Sequence, residues 1–544
     1  MKEQQRITPH YDHVDKSAES AVHEGKDRHV LIISAVIVAA FVAYGAIAPQ
    51  SLSAVADVLF EVCTVDFGWL YLLSVFLMVV YAVGVGISKY GNIKLGHDDD
   101  EPEFTNFQWF AQLFSGGLGI GLVFWSVAEP MMDYLAPPSA MPETNEAMHE
   151  AMQTVFFHWS ISPWAVFAVA GLGLGYFAFR KDRPFLVSSA FEPLLGEERV
   201  RGPIGKAIDI LAVFATIFGV ATSLGLGTIQ ITGGLEYVYG IEQSIVLKCA
   251  IIAGITVLFT LAAVSGVGKA MQVVANIKVY LSLAFIVFIF VFGGAVFICN
   301  IFVSDVGGFL QNFIHKSLWL ENGDFVQSWT VFYWAWWIAW APFCGQFVAR
   351  VSRGRTIRSY LFAVMLLPAG FCVVWLAVYG GAAFNLNELT GGAIQAAVGG
   401  ENGTTIALFA FLKELPGYVV TAPLGIVLIV VCFWGAANSA IFVLSMLTDN
   451  GNMEPSKPLR AGWGIAQGSM TLICIIAGGE GILKILQTLS IAAAFPYMFV
   501  VLLMAVAMLK ALREDPWTRA QAKVQARQEA ELAALMEQDG GNAA

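Results

Sequence analysis

The chain reads as an all-α polytopic membrane protein with twelve transmembrane helices, and three observations predict it. Of its 544 residues, 57% are hydrophobic and 13% charged, about half the charge fraction of an ordinary soluble domain. The apolar residues fall in runs of about 20, the length that crosses a hydrocarbon core about 30 Å thick. Lysine and arginine alternate between the two sides that such runs define.

The runs cover 30–50, 68–88, 107–130, 153–178, 206–231, 244–266, 279–302, 328–349, 358–381, 418–447, 461–478 and 490–511. Five Lys or Arg precede span 1, and the loops after spans 2, 4, 6, 8 and 10 hold two, six, two, four and two. With five more from Lys510 onward, one side holds 26, whereas the loops after odd spans hold three: Lys316, Lys413 and Lys484. Lys248 completes the 30. Basic residues concentrate on the cytoplasmic side, so both termini are expected there. The expected organisation is a cytoplasmic tail of 1–29, a twelve-span domain of 30–511 and a cytoplasmic tail of 512–544.

The net charge of −11 says little about partners, because most acids lie in tails and loops such as Asp98 to Glu103. No nucleic-acid partner is expected. About 28 polar residues stand ahead of the first span, too many for a signal peptide's apolar region to follow. Seven scattered cysteines without a C-x-x-C read as packing residues. Two amphipathic segments, Gly308 to Trp319 and Ile406 to Leu415, are expected at the interface or over the bundle. The last 30 residues suggest a charged helix.

Span 8 carries the strongest chemical signal. Trp329, Tyr333, Trp336, Trp337 and Trp340 sit at offsets 0, 4, 7, 8 and 11, one helical stripe about 100° wide. Arg350, Arg353, Arg355 and Arg358 follow at its cytoplasmic end. A stripe of π faces suits a quaternary ammonium, a cation with no proton to donate.

Span 3 contains S-G-G-L-G-I-G from Ser115 to Gly121. Gly117 and Gly121 form a G-x-x-x-G pair suited to close helix packing. Three glycines, Gly117, Gly119 and Gly121, also suit an unwound stretch whose backbone approaches an ion or solute. Glu129, at the end of this span, is expected at the interface. Span 4 opens with H-W-S-I-S-P-W-A-V-F, His158 to Phe167, where Pro163 is expected to kink the helix. Trp159 and Trp164 lie about 140° apart on an ideal helix, so the kink must help them face one cavity. His158 reads as a hydrogen-bonded helix-end residue.

Taken together, these motifs make the chain resemble the betaine/choline/carnitine transporter family. The resemblance rests on 329–358, on the glycine stretch with A-E-P at 117–130, and on H-W-x-x-x-P-W at 158–164. A-T-x-F-G-x-A-T-S-L-G-L-G at 215–227 and Y-G-N-I-K-L-G at 90–96 agree. It implies two inverted five-helix repeats, spans 3–7 and 8–12, around an amino-acid-transporter-like core. It further implies a multi-pass protein of a bacterial cytoplasmic membrane, a homotrimer, and no cofactor. The small zwitterionic or cationic trimethylammonium substrate would be bound by Trp159, Trp164, Phe167, Trp336, Trp337 and Trp340, next to Gly117, Leu118, Gly119 and Gly121. Phe167 stands where well-known members have Tyr.

The ion sites depart from the family pattern. Sodium-coupled relatives use carbonyls of the glycine stretch, here Ser115 and Leu118, with hydroxyls of a T-S-x-D-S motif on span 10. This chain has Gly435, Ala436 and Asn438 at those hydroxyl and aspartate positions. On span 5, Thr216 is kept and Val220 replaces a second threonine. A hard cation needs several oxygens, so only a weak site from Ser115, Leu118 and Thr216 is expected. The family reading is therefore a secondary carrier of quaternary ammonium solutes, with glycine betaine first and choline or carnitine next. Sodium-independent exchange of the carnitine type and proton-coupled choline uptake stand as alternatives. An enzyme is not expected, because no span holds a nucleophile–base pair, a histidine cluster or paired acids. Aromatic boxes hold solutes and do not line an ion-conducting channel.

Overall fold

A computed structural model describes residues 28–117, 119–265, 268–321, 323–521, 523–524 and 528. The N-terminal tail before Arg28 and most of the charged C-terminal segment lie outside the described residues. The main helices are α1 (His29–Ile47), α2 (Pro49–Glu61), α3 (Gly68–Ile87), α4 (Asn106–Gly117), α5 (Ile120–Leu135), α6 (Asn145–Trp159) and α7 (Ile161–Arg180). They continue as α8 (Pro203–Tyr239), α9 (Ile245–Ser265), α10 (Gly268–Phe292), α11 (Ala295–Ser317), α12 (Phe332–Arg350) and α13 (Ile357–Leu389). The last four are α14 (Gly403–Lys413), α15 (Tyr418–Leu447), α16 (Lys457–Gly478) and α17 (Ile482–Glu514). No strand occurs among the described residues, as expected where every backbone group must be satisfied within hydrocarbon.

Eleven helices among the described residues are long and apolar enough to cross a membrane. Ten coincide with expected spans, with α6 and α7 counted as one; the eleventh is α11. Span 3 is missing because it is cut into α4 and α5, of 12 and 16 residues. Span 8 is α12, whose many indoles and Pro342 lower its hydropathy.

Span 7 ends earlier than the expected 302. Gly294 takes a left-handed φ of 98°, which interrupts the helix between Phe292, the end of α10, and Ala295, the start of α11. The expected amphipathic segment at 308–319 is the second half of α11. It is pinned along α6: His149 Nδ1 lies 2.9 Å from Asp305, Asn312 donates to Gln153 at 3.2 Å, and Lys316 donates to Thr154 Oγ1 at 2.8 Å. The second such segment is α14, whose residues Ala407 to Leu412 are buried against α5 and α8.

Burial separates centre from rim. In their most apolar 18-residue stretches the α6–α7 unit and α8 are 89% and 78% buried, whereas α9 and α10 are 17% buried and leave their apolar faces exposed. Helices α7 and α12 approach closely, where Gly171 meets the Gly345 carbonyl and Gly345 meets Ala170 and the Gly171 amide. Small residues let the backbones touch, and this crossing brings the aromatics of both helices together.

Two of the sequence motifs turn out to be one structure. Residues 90–96 run beside 352–358: Leu95 N donates to Arg355 O at 2.8 Å, Gly354 N to Leu95 O at 2.7 Å and Ile357 N to Ile93 O at 2.8 Å. Arg358 donates to the carbonyls of Gly86 and Ser88 at the end of α3, at 2.9 and 3.1 Å, a basic group on a helix C-terminus. Arg355 lies over the Trp109 ring at 4.4 Å and Arg350 pairs with Glu103 at 2.6 Å. These arginines tie the spans together.

Beyond α17 a second clasp closes this end. Buried Arg180 donates to both carboxyl oxygens of Asp515 at 2.7 and 2.8 Å, to Asp98 at 2.8 Å and to Gly96 O at 3.0 Å. Tyr176 donates to Asp515 at 2.7 Å. Burial pushes the Asp515 carboxyl up, but hydrogen bonds and charge from Arg180 hold it below the ordinary aspartate value. Its contribution to stability is thus complete above about pH 4 and is lost only as pH falls through the depressed value. Arg180→Ala should destabilise the protein by about 3–5 kcal/mol by stranding a buried carboxylate. Thermal unfolding in detergent measures this, and Arg180→Met with Asp515→Leu should recover most of the loss. An Arg180→Ala protein that melts like the parent would show the clasp to be idle.

Candidate functional site

Three interruptions in regular helix assemble the site. The first separates α6 from α7. Pro163 has no N–H for the Trp159 carbonyl, and its ring crowds that carbonyl. The chain therefore breaks at Ser160 (φ −101°, ψ −117°) and restarts at Ile161, three residues ahead of the kink expected at the proline. The second is the gap between α4 and α5, where Gly119 is extended at φ −106°, ψ 166°. The third is a π-helical stretch, Val326–Val331, leading into α12. The Trp329 ring on this stretch stacks on Tyr333 at 6.3 Å and meets Trp125 of α5 edge-on at 5.2 Å.

The six expected aromatics form one connected cluster. Trp336 and Trp337 stack at 4.9 Å and 13°. Trp159 stands edge-on to Trp337 at 4.9 Å and to Trp336 at 6.2 Å. Phe167 joins Trp337 at 6.2 Å and Trp164 at 5.4 Å. Trp340 is edge-on to Trp336 at 6.1 Å. The indole N–H groups point away from the ring faces. Trp340 and Trp336 both donate to Gly219 O of α8, at 3.0 and 3.3 Å, and Trp337 donates to His158 O at 3.0 Å. That last acceptor lies in the final turn of α6, where carbonyls lack helix partners. No ring of the six is more than 9% exposed. The rings touch one another, so the cluster is closed in this conformation. An open cleft of about 470 Å³ at Pro138, Trp319, Glu321, Gly323 and Asp324 is lined by none of these aromatics.

The glycine stretch lies partly beside the cluster. A Cβ on Gly121 would collide with the Trp336 ring and press on Trp159. Gly119 has open space at its Cβ position, with no atom within 4 Å. Gly117 is the last residue of α4. Leu118 lies outside the described residues, as does the Ser115 side chain.

Glu129 does not sit at the interface. It is fully buried, and it holds three helices together. Its Oε2 accepts from Trp159 Nε1 at 2.7 Å and from the Tyr333 hydroxyl, and its Oε1 lies 2.7 Å from His158 Nδ1. His158 Nε2 in turn lies 3.0 Å from Thr330 Oγ1, and its ring stacks on Tyr333 at 4.7 Å. A carboxylate inside hydrocarbon needs such donors. Sequence reasoning set Tyr333 on the aromatic stripe but missed its hydrogen bond to Glu129, and it put Glu129 at the interface. The available signal was an acid within a span, one turn from Trp125 and followed by a proline, with His158-Trp159 as candidate donors.

Comparison with known proteins agrees with this architecture. Residues 29–517 match the model of the BCCT, betaine/carnitine/choline family transporter. The chain belongs to that family. A probable glycine betaine transporter of Desulfitobacterium hafniense is 59% identical over 490 residues, 90% of this chain and 98% of that protein. The glycine betaine transporter OpuD of Bacillus subtilis is 42% identical, covering 88% and 93%. An ectoine/hydroxyectoine transporter of Virgibacillus pantothenticus is 39% identical, covering 87% and 94%. The protein is a multi-pass secondary transporter of the betaine/carnitine/choline family, and its relatives are not enzymes.

The sodium sites implied by the family do not fit the side chains present. Thr216 is buried and its hydroxyl donates to Ala212 O of its own helix at 2.8 Å. Val220 supplies a buried methyl surface. With its amide turned to satisfy both atoms, Asn438 donates to Phe259 O at 2.9 Å and accepts from Trp434 Nε1 at 2.7 Å. Gly435 and Ala436 offer no oxygen from their side chains.

Glu129→Leu should strand the donors of Trp159, Tyr333 and His158, at about 1–3 kcal/mol each, and abolish solute uptake. Glu129→Gln should be far milder, because its oxygen still serves Trp159 and Tyr333 while His158 changes tautomer to accept from the amide. Uptake and melting temperature of the two variants are the readout. A Leu variant as stable and active as the parent would remove Glu129 from the site.

Proposed function

We infer that the protein carries glycine betaine, or a close trimethylammonium solute such as choline or carnitine, across a bacterial cytoplasmic membrane by alternating access. One observation carries the reading: six aromatic side chains from α6, α7 and α12 converge beside the break between α4 and α5. Three or four π faces at about 0.5–2 kcal/mol each would supply most of a micromolar to millimolar affinity. The closed cluster is consistent with an occluded stage, which opens when α6 and α12 part. The functions named for the relatives, glycine betaine and ectoine transport, agree with a compatible-solute role. The exposed apolar faces of α9 and α10 suit lipid or a neighbouring copy in the trimer that the resemblance implies.

The same reading holds that sodium does not drive transport. Its support is the set of side chains at 216, 220, 435, 436 and 438, which leave a hard cation with backbone oxygens and the single Thr216 hydroxyl from these positions. Drive then comes from a proton or from a counter-solute.

Counterflow of radiolabelled solute in proteoliposomes, run across glycine betaine, choline, carnitine and ectoine, tests the substrate class. Trp340→Leu should abolish it with modest loss of stability. Trp336→Leu should abolish it and also destabilise the protein by about 3 kcal/mol or more, because Trp336 is fully buried. Normal transport by both variants would make the cluster structural. Glycine betaine exchange should proceed equally in potassium-only and sodium buffers, and a strict sodium requirement would overturn the coupling assignment.

A further inference from the structure

Among the described residues, the buried acids Asp209, Asp305 and Asp515 have hydrogen-bond partners, and Asp133 has none. Asp133 stands one helical turn after Glu129 on α5, so the two carboxyls share a face. Both are fully buried. Glu129 has its three donors, whereas neither oxygen of Asp133 has a hydrogen-bond partner among the described residues. The charged groups that act on Asp133 are Glu129 of its own helix, Glu150 of α6 and Lys316 of α11. Lys316 donates to Thr154 Oγ1 at 2.8 Å and makes no hydrogen bond to Asp133. His158 of α6 and Tyr333 of α12 bear on Asp133 through Glu129, which both contact.

An unpartnered carboxylate buried among apolar helices costs several kcal/mol in its charged form. A proton removes that charge with no further ligand. Metal binding is a poorer fit, because no cluster of three His, Cys, Asp or Glu suited to an ion occurs among the described residues. Asp133 is also placed to communicate. Its charge repels that of Glu129, and Glu129 holds Trp159 and Tyr333 by direct hydrogen bonds. The same helix begins against Trp336 and Trp159 at Gly121. A proton at Asp133 and a solute among the rings therefore act on one shared element, the requirement for reciprocal coupling between two sites.

We propose that Asp133 is the proton-binding carboxyl of this carrier, linked through Glu129 and His158 to the aromatic cluster, so that a proton crosses with each solute. The proposal rests on the carrier reading above and gives it a driving ion. It also separates this site from the Arg180–Asp515 clasp, whose titration lies in the acid range.

The test uses the full chain in sodium-free proteoliposomes with an imposed gradient of one pH unit, alkaline inside, and the membrane potential clamped. At one proton per solute, such a gradient supports about tenfold accumulation of labelled glycine betaine, with acidification of a trapped pH dye. Asp133→Asn should reduce accumulation to the equilibrium level and abolish the acidification. Counterflow, which requires no net proton movement, should persist and report folded protein. Infrared spectra of the solute-free protein provide an independent reading: a carboxylic-acid C=O stretch present in the parent should be missing in Asp133→Asn. Gradient-driven accumulation retained by Asp133→Asn, or accumulation by the parent without acidification, would overturn the proposal. An infrared band unchanged by the substitution would do so too. If the parent shows no counterflow of any trimethylammonium solute, the carrier reading fails, and the infrared band still decides whether Asp133 holds the proton.

Discussion

A charged carboxyl in a membrane interior is tolerated only where donors surround it, and Glu129 concentrates that constraint at the centre of this protein. Its donors come from α6 and α12, while it belongs to α5. The requirement to satisfy one buried anion therefore fixes how three separate helices meet. It also fixes the orientation of Trp159, whose N–H is held at Glu129 and whose ring stands against Trp336 and Trp337. Each indole N–H of the α12 pair is likewise spent on a backbone carbonyl, leaving the π surfaces for packing or for a solute cation.

The supporting frame is built for rigid placement at one end and interrupted backbone near the rings. Close contact of α7 with α12 at Gly171 and Gly345 sets the separation of the two aromatic helices. The arginines after α12 tie its end to α3 and to the loop before α4, and Arg180 ties α7 to the segment after α17. The breaks at Ser160 and Gly119 fall instead beside the aromatic cluster. Irregular backbone at membrane depth is tolerated only where protein or a cavity receives it, and here the interrupted ends abut the cluster that would receive the solute.

Much of this was legible in the sequence because bilayer thickness and helix periodicity act locally. Run lengths placed the spans, and the 3.6-residue period placed Trp336, Trp337 and Trp340 on one side of α12. The break near Pro163 was legible as chemistry but misplaced by three residues, because the disrupted carbonyl belongs to Trp159 and not to the proline's own turn. Span 7 was drawn too far because Gly293-Gly294 sits inside a continuous apolar run, and hydropathy does not register a left-handed φ. Glu129 was misread for a different reason. Its burial depends on partners 29, 30 and 204 residues away, and no local pattern specifies those. The pairing of 90–96 with 352–358 was hidden in the same way, although both motifs were visible.

The account turns on cation–π recognition by the aromatic cluster. The most direct measurement is equilibrium binding to the purified protein in sodium-free buffer, followed by tryptophan fluorescence, of glycine betaine against tert-butylacetate. The second compound keeps the shape and the carboxylate but replaces the cationic nitrogen with carbon. Binding of glycine betaine at least about tenfold tighter is the result this account predicts, since three faces at about 0.5 kcal/mol or more each already amount to that ratio. Equal binding of the two compounds would contradict it.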